Sequence, residues 1–475
     1  MPTREIDQSR IHPLNKRRPR RGRYVLYWMQ QAQRAAHNHA LEHAVRCANA
    51  DGVPLLIVFG LTENYPQANA RHYHFMLQGL AETQHRLARR GLRLIVQAGH
   101  PADIALDFAA HATRIVCDRG YLRHQRQWRR RVGRQAKCPV TEVETDVVVP
   151  VQVASSKAEF AARTIRPKLH RQIEDYLIEL RPTAIKRESI DSSRWGADEV
   201  DLSNIDRLID TMNVDQSIRP SPYYHGGLRA ARDRLRRFIC DELPAYADRR
   251  HHPHLDCTSH LSPYLHFGQI SPIEIALAVR DANAAPRHRD AYLEELIVRR
   301  ELAHNFVWFT RNYDKFAGLP AWARRELLAH RNDPRPHRYT RRELEASRTH
   351  DPYWNAGMRE MRITGYMHNH MRMYWGKKIV EWTNTPQYAY RTILALNNRY
   401  FLDGRDANSF ANVGWIFGLH DRPWQSRPIF GSVRWMAATG LRRKTEPEAY
   451  VARVENLEDT QEVCPGSTTP FPPTH

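Results

Sequence analysis

Between residues 24 and 151 the sequence alternates short apolar runs with stretches of helical periodicity, and this constrains the fold more than any other feature. The runs lie at 24–29 (YVLYWM), 53–61 (VPLLIVFGL), 92–98 (LRLIVQA), 114–118 (RIVCD) and 147–151. Between them, residues 37–50, 71–90, 102–112 and 121–137 carry apolar positions near helical spacing. Continuous β-branched runs, without polar alternation, belong to strands covered on both faces, and intervening helices supply the cover. The reading is an α/β domain with a doubly wound parallel sheet, whose ligands lie at the carboxyl ends of the strands. No GxGxxG follows the first strand, so a dinucleotide held in the usual βαβ manner is not indicated.

The remainder divides by pattern. Residues 1–23 read as a basic N-terminal arm. Residues 152–220 are polar and irregular, an interdomain connection with a helix around 168–179. Residues 221–457 carry almost no strand signal and many helix starts: Ser271-Pro272 with Glu274 and Thr340 with Glu343 have capping-box spacing, and Ser262-Pro263, Asp351-Pro352 and Thr385-Pro386 are cap-then-proline starts. The second domain is therefore all-α. Residues 458–475 read as a disordered tail.

Composition bounds the function. The length, 475 residues, suits two large domains. The longest apolar run spans nine residues, 53–61, far short of the ~20 that cross a bilayer, and the charged N-terminus lacks a signal-like apolar core. Six dispersed cysteines without a CxxC pair read as reduced thiols of a cytoplasmic protein. Lys+Arg number 72 against 52 Asp+Glu, a net charge of +20, which points to a polyanionic partner, most often nucleic acid.

In the helical half, Trp354, Trp375 and Trp382 stand out, the last two seven residues apart on one helix face. Tryptophan at that spacing is ordinarily core, and the functional alternatives are base stacking or a relay of oxidisable rings. The segment TSHLSPYLHFG (258–268) gathers hydroxyls ahead of a helix start, a setting for a phosphate or simply for capping. DGRDAN (403–408) reads as a turn. It fails the calcium-loop pattern because Arg405 sits at a ligand position.

Four motifs in order, TSHLSPYLHFGQISP, YLEELIVRRELAHNF, WNAGMREMRITGYMHNHMRMYWGKKIVEW and LNNRYFLDGRDANSFANVGWIFGLHDRPW, resemble the DNA photolyase/cryptochrome family, and most of all its class II cyclobutane pyrimidine dimer (CPD) photolyases. The resemblance runs from residue 23 to about 444. It implies an α/β antenna-type domain (24–151) and a helical FAD- and DNA-binding domain (221–457).

The roles that follow are what the resemblance implies. Tyr246, Thr258, Ser259, Leu261 and Ser262 match the segment that binds the FAD pyrophosphate. Asp403 and Gly404 match the turn facing flavin and ribose, with Arg372 as the salt-bridge partner of Asp403. Asn397 matches the class II asparagine at flavin N5, where an amide favours reduced over oxidised flavin. Glu295 matches the carboxylate that bonds the base edge of the dimer, Met373 and Trp415 line its apolar pocket, and Arg250 flanks the gap left in the duplex. Trp354, Trp375 and Trp382 would relay electrons from the surface to FAD. Val413 stands where class I enzymes begin their relay, so the route here must differ.

The implied function is light-driven repair of UV-damaged DNA without sequence preference, by a monomer associated with the nucleoid. A second antenna chromophore, a deazaflavin or a folate, is open. The rivals are a cryptochrome-type photoreceptor, disfavoured by a tail of only about 20–30 residues; a (6-4) photolyase, with His368 and His370 as acid–base candidates although two residues apart on a helix face different ways; and a DNA-binding protein without chemistry. His251, His252 and His254 lack the partners of a metal cluster.

Overall fold

In the computed structural model the described residues are 6–189 and 199–463, with side chains described to residue 457. Strands β1 (Ile11–Pro13), β2 (Tyr24–Trp28), β3 (Leu55–Leu61), β4 (Arg93–Ala98), β5 (Ala112–Asp118) and β6 (Val140–Val143) form one sheet in the order β1-β6-β5-β2-β3-β4. Every pairing is parallel except that of β1 with β6. Helices α1 (His39–Asp51), α2 (Ala70–Ala88), α3 (Pro101–Ala109) and α4 (Arg123–Gln135) make the crossovers.

Strand β2 shows why its run had no alternation. All five of its residues are fully buried, with Val25 and Tyr27 in one apolar layer and Tyr24, Leu26 and Trp28 in the other. Both faces of the strand are core.

Two stretches differ from expectation. Residues 147–151 form no strand; a short helix, Val151–Ala154, begins there. Their backbone groups are satisfied by buried side chains instead of a ladder. The Glu301 carboxylate accepts from Val148 N and Val149 N, and the Arg10 guanidinium donates to the carbonyls of Val147 and Val148. The sixth strand lies at β6, whose sequence VTEV is too short and polar to stand out. Within the first 23 residues, read as an arm, Ile11–Pro13 is an edge strand and Arg10 is buried.

The connection holds short helices Ala162–His170, Ile173–Tyr176 and Ile205–Thr211. It folds back on the α/β domain, where Glu199 bridges to Gln97 and Asp215 to Asn69. Residues 190–198 lie outside the described residues.

The remaining described chain is helical. Thr340 and Glu343 form a reciprocal capping box, and Asp351 and Thr385 cap as expected by accepting from Trp354 N and Tyr388 N. Ser271 caps alone, because Glu274 turns to the guanidinium of Arg232. Helix Ser262–His266 starts one residue earlier than the cap-then-proline signal implies, with Leu261 as N-cap. The last helix, Pro447–Val463, extends into the expected tail; residues 464–475 lie outside the described residues.

Buried arginines join the two halves. Arg34 reaches Asp146 at 3.0 Å and the carbonyl of Gly268 at 2.8 Å. Arg71, from α2, caps the carbonyls of Met361 and Tyr400 at the ends of two helices of the other half. Each guanidinium spends its donors on buried carbonyl or carboxylate oxygens, the arrangement buried charge requires.

Candidate functional site

A cavity of about 470 Å³ opens in the helical half, within the range of cofactor pockets. Tyr246, Arg250, Thr258, Ser259, Leu261, Ser262, Glu295, Arg372, Met373, Asp403 and Trp415, all singled out from the sequence, line it.

Its hydroxyl wall is held from behind. Thr258 Oγ1 lies 3.0 Å from Tyr366 OH, and Tyr292 OH donates to Ser259 Oγ at 2.9 Å. His260 adopts a left-handed backbone (φ 52°), with Tyr224 OH at 2.7 Å from Nδ1 and the Asp256 carboxylate at 3.0 Å from Nε2. Arg453, from helix Pro447–Val463, reaches Asp256 as well. Burial alone would raise the Asp256 pKa; His260 and Arg453 outweigh it and hold the carboxyl down at about 2. The turn that carries the hydroxyls is thus anchored by a buried, ionised network.

Opposite, Arg372 makes a two-point ion pair with Asp403, at 2.9 and 3.0 Å, and stands 3.9 Å over the Phe401 ring. Gly404 does not reach the wall. A Cβ there would come within 2.8 Å of Asn397 O, so the turn needs glycine for close approach, and Arg405 takes the left-handed conformation (φ 63°). Asn397 is not among the lining residues either. It is buried, and its amide donates to Asn398 Oδ1 at 3.0 Å.

At the mouth, Glu295 sits on a π-helical stretch, Glu294–Arg299, inserted between helices Pro286–Leu293 and Arg300–Phe309. Wide turns of this kind re-aim side chains and recur at functional sites. Glu295 pairs with Arg250 at 3.0 Å. Arg299, from the same stretch, stands 5.7 Å over the Trp415 ring.

The three tryptophans form a compact stack. Trp354 lies between Trp375 (centroids 6.5 Å, 11° apart) and Trp382 (5.6 Å), and its Nε1 donates to the Trp375 carbonyl at 2.9 Å. None of the three reaches the surface or the cavity wall. Beyond Trp382 stand two rings that meet solvent, the partly buried Tyr339 at 5.4 Å and the exposed His350 at 5.2 Å. Trp375 abuts Phe401, beneath the Arg372 guanidinium. Val413, at the class I position, is buried.

Sequence reasoning missed several lining residues. His368 and His370, set on different faces of a presumed helix, both line the cavity, because His368 is the extended N-cap of helix Asn369–Trp382 (ψ 137°) and lies outside its periodicity. His368 Nδ1 accepts from His370 N, so Nε2 carries the hydrogen; that buried donor has no partner in the structure. Burial holds the pKa of His368 at about 3 and that of His370 at about 4. Arg300 Nε is likewise a buried donor without a partner. Lys377 donates to Ile416 O, and burial brings its pKa to about 7. An aromatic and apolar pocket with orphan donors calls for a flat ligand rich in acceptor oxygens, which fits FAD.

A second pocket lies at the carboxyl ends of β2 and β3, lined by Gln30, Gln31, Gly60, Thr62, Gln125 and Arg405. Its enclosed space is about 60 Å³.

The family model for DNA photolyase matches residues 25–186. A deoxyribodipyrimidine photo-lyase of Methanothermobacter thermautotrophicus is 44% identical, covering 96% of this chain and all of that one. The crystal structure of a class III photolyase from Agrobacterium tumefaciens superposes with a TM-score of 0.70 at 19% identity, over 96% of this chain and 94% of that one. The structure of a Sulfolobus tokodaii photolyase with two FAD molecules gives 0.67 at 17% identity, over 94% and 96%.

Proposed function

The chain belongs to the DNA photolyase family, and from that premise we propose that it binds FAD and splits cyclobutane pyrimidine dimers in UV-damaged DNA, as a class II enzyme. The observation that carries the proposal is a single cavity whose wall joins the braced hydroxyl segment 258–262 and the Arg372–Asp403 pair to Glu295, Met373 and Trp415 at its mouth. A cofactor and a flipped pyrimidine dimer can meet there.

When bound, reduced FAD supplies the light-driven electron that opens the cyclobutane ring. The side chains do the rest. Thr258, Ser259 and Ser262 offer hydroxyls to a pyrophosphate, with Tyr246 beside them, and the orphan donors His368 Nε2 and Arg300 Nε gain acceptors. A dimer stacks and pairs poorly, so extruding it costs only a few kcal/mol. Phosphate contacts from a surface of net charge +20 can offset that cost without reading sequence.

The Arg250–Glu295 pair is the switch that a lesion throws. Its side chains are 23% and 39% exposed, and such pairs contribute about 0–1 kcal/mol. An entering dimer therefore displaces Arg250 cheaply: the guanidinium moves to the gap in the duplex and the carboxylate is freed for a base N–H. Glu295 then fixes the orientation of the base by accepting that hydrogen bond. The buried Trp354–Trp375–Trp382 stack, with Tyr339 at its outer end, supports a route for re-reducing the cofactor. One Nδ2 hydrogen of Asn397 goes to Asn398, which leaves its amide oxygen and second hydrogen for flavin N5 in this reading. We further propose a monomer acting in the cytoplasm at the nucleoid; among the described residues no helix is long and apolar enough to cross a membrane.

One observation favours a second reading. His368 and His370 share the cavity wall, which meets the need of a (6-4) photolyase for acid–base groups. Blue-light repair of oligonucleotides carrying one defined lesion, under reducing conditions and against a dark control, decides. Restoration of two thymines from a CPD is expected. Repair of the (6-4) lesion alone would move the assignment to that chemistry, and repair of neither, with FAD bound and reduced, to a photoreceptor.

A further inference from the structure

His420 follows helix Ala407–Ile416 and, like His260, holds a left-handed backbone (φ 60°). A non-glycine residue kept in that region signals a demand that the surroundings impose. Its Nδ1 lies 2.9 Å from Phe160 O, and a carbonyl can only accept, so Nδ1 carries the hydrogen. The Phe306 ring packs edge-on at 5.8 Å and fixes the imidazole plane. Nε2, on the opposite side of the ring, is therefore a lone-pair acceptor. It is buried, has no hydrogen-bond partner among the described residues, and belongs to a residue of the cavity wall. Burial holds the ring neutral, with a pKa of about 4, only partly opposed by the bond to Phe160.

The location narrows the ligand. The charged group that acts on His420 is Arg299, whose guanidinium stands over Trp415, so the acceptor belongs with the apolar pocket. At the mouth the acceptors identified are the Glu295 carboxylate and His420 Nε2. A pyrimidine dimer presents two base edges. Thymine and uracil each carry one N3–H donor there; cytosine carries an unprotonated N3.

We propose that His420 Nε2 accepts the N3–H of one base of the flipped dimer while Glu295 serves the other, making His420 a specificity-determining residue that favours thymine or uracil over cytosine on its side. The proposal rests on the photolyase reading of this cavity. Its energy is that of one neutral hydrogen bond, about tenfold in affinity.

The test uses the FAD-loaded enzyme and three oligonucleotides, one with an unmodified thymine dimer and two methylated at N3 of either the 5′ or the 3′ base. Dissociation constants are measured in the dark. In the wild type each methylation is expected to weaken binding. In His420→Leu the unmodified dimer should bind about tenfold more weakly, and the penalty of one methylation, always the same one, should vanish while the other persists. His420→Asn, which tolerates the left-handed backbone and offers an amide oxygen, should restore part of both effects; it carries the test if the leucine variant does not fold. FAD content should be unchanged, which separates a substrate contact from a cofactor contact. Two intact penalties in both variants would overturn the proposal and assign Nε2 to a bound water. Wild-type enzyme that fails to prefer the unmodified dimer over undamaged DNA would overturn the photolyase reading itself.

Discussion

Trp354 holds its tryptophan stack together, and under the proposed function it also carries electrons; one substitution tests both. It is fully buried, wedged between Trp375 and Trp382, and tied by its indole N–H to the Trp375 carbonyl. Trp354→Phe keeps most of the volume and loses that bond, so a cost of about 1–2 kcal/mol is expected in denaturant unfolding. Steady blue light with an external thiol should then no longer bleach oxidised FAD, while chemically reduced enzyme still repairs. Photoreduction at the wild-type rate would remove the stack from the electron path. At this scale the sequence was legible where residue type and chemistry coincide, as in Arg372 with Asp403 and in the hydroxyls of 258–262. It was illegible where backbone decides. His368 and His370 share a wall because one of them is a cap, and His420 joins the wall from a left-handed turn that no periodicity marks. Asn397 carries the right chemistry, yet it stands behind the wall with one amide hydrogen on a neighbour.

Edge strand β1 shows how much an element can owe to one carboxylate. Glu144, just past β6, is fully buried; it meets Arg119 at 2.9 Å, lies 3.6 Å from His12 of β1, and accepts from Tyr121 OH and Val151 N. Burial pushes its pKa up, and Arg119, His12 and the Val151 N–H outweigh that, bringing it from 4.5 to about 2. The folded state thus binds this proton more weakly than the unfolded state. The stabilisation is complete above about pH 4.5 and is lost as pH falls toward 2, about 3 kcal/mol in all. Glu144→Gln should lower stability at pH 7 and flatten its fall between about pH 5 and pH 3, as read by urea midpoints across that range. An unchanged slope would show that other carboxylates govern acid unfolding. The same buried polar groups explain why 147–151 misled. Five residues with four valines look like a strand, and nothing local announces that Arg10 and Glu301, far away in sequence, will take their backbone bonds.

For the whole molecule, charge is the property that function uses. With +20 overall, affinity for damaged DNA should fall linearly against salt on log–log axes, by roughly 0.9 decade per decade for each phosphate neutralised. A flat response in a fluorescence-anisotropy titration would contradict a footprint built on the DNA backbone. The two-domain plan was legible because continuous apolar runs between helical stretches are confined to residues 24–151, while helical patterns stand alone after residue 221. The connection was not, since a polar segment that folds back through bridges such as Gln97 with Glu199 has no periodicity to read. One feature of that plan bears on how the protein is made. The strand that closes the sheet is synthesised first and paired last, since Ile11 meets Val143. Until that partner emerges from the ribosome, Ile11–Pro13 has no ladder to join, and even then Val140–Val143 is an open edge until Ile11–Pro13 returns to it. An open edge invites a strand from another chain. Three residues near the N-terminus therefore act as the guard of a nascent domain against its neighbours on the same message, and an N-terminal tag that holds them away would be felt as aggregation long before it was felt as lost repair.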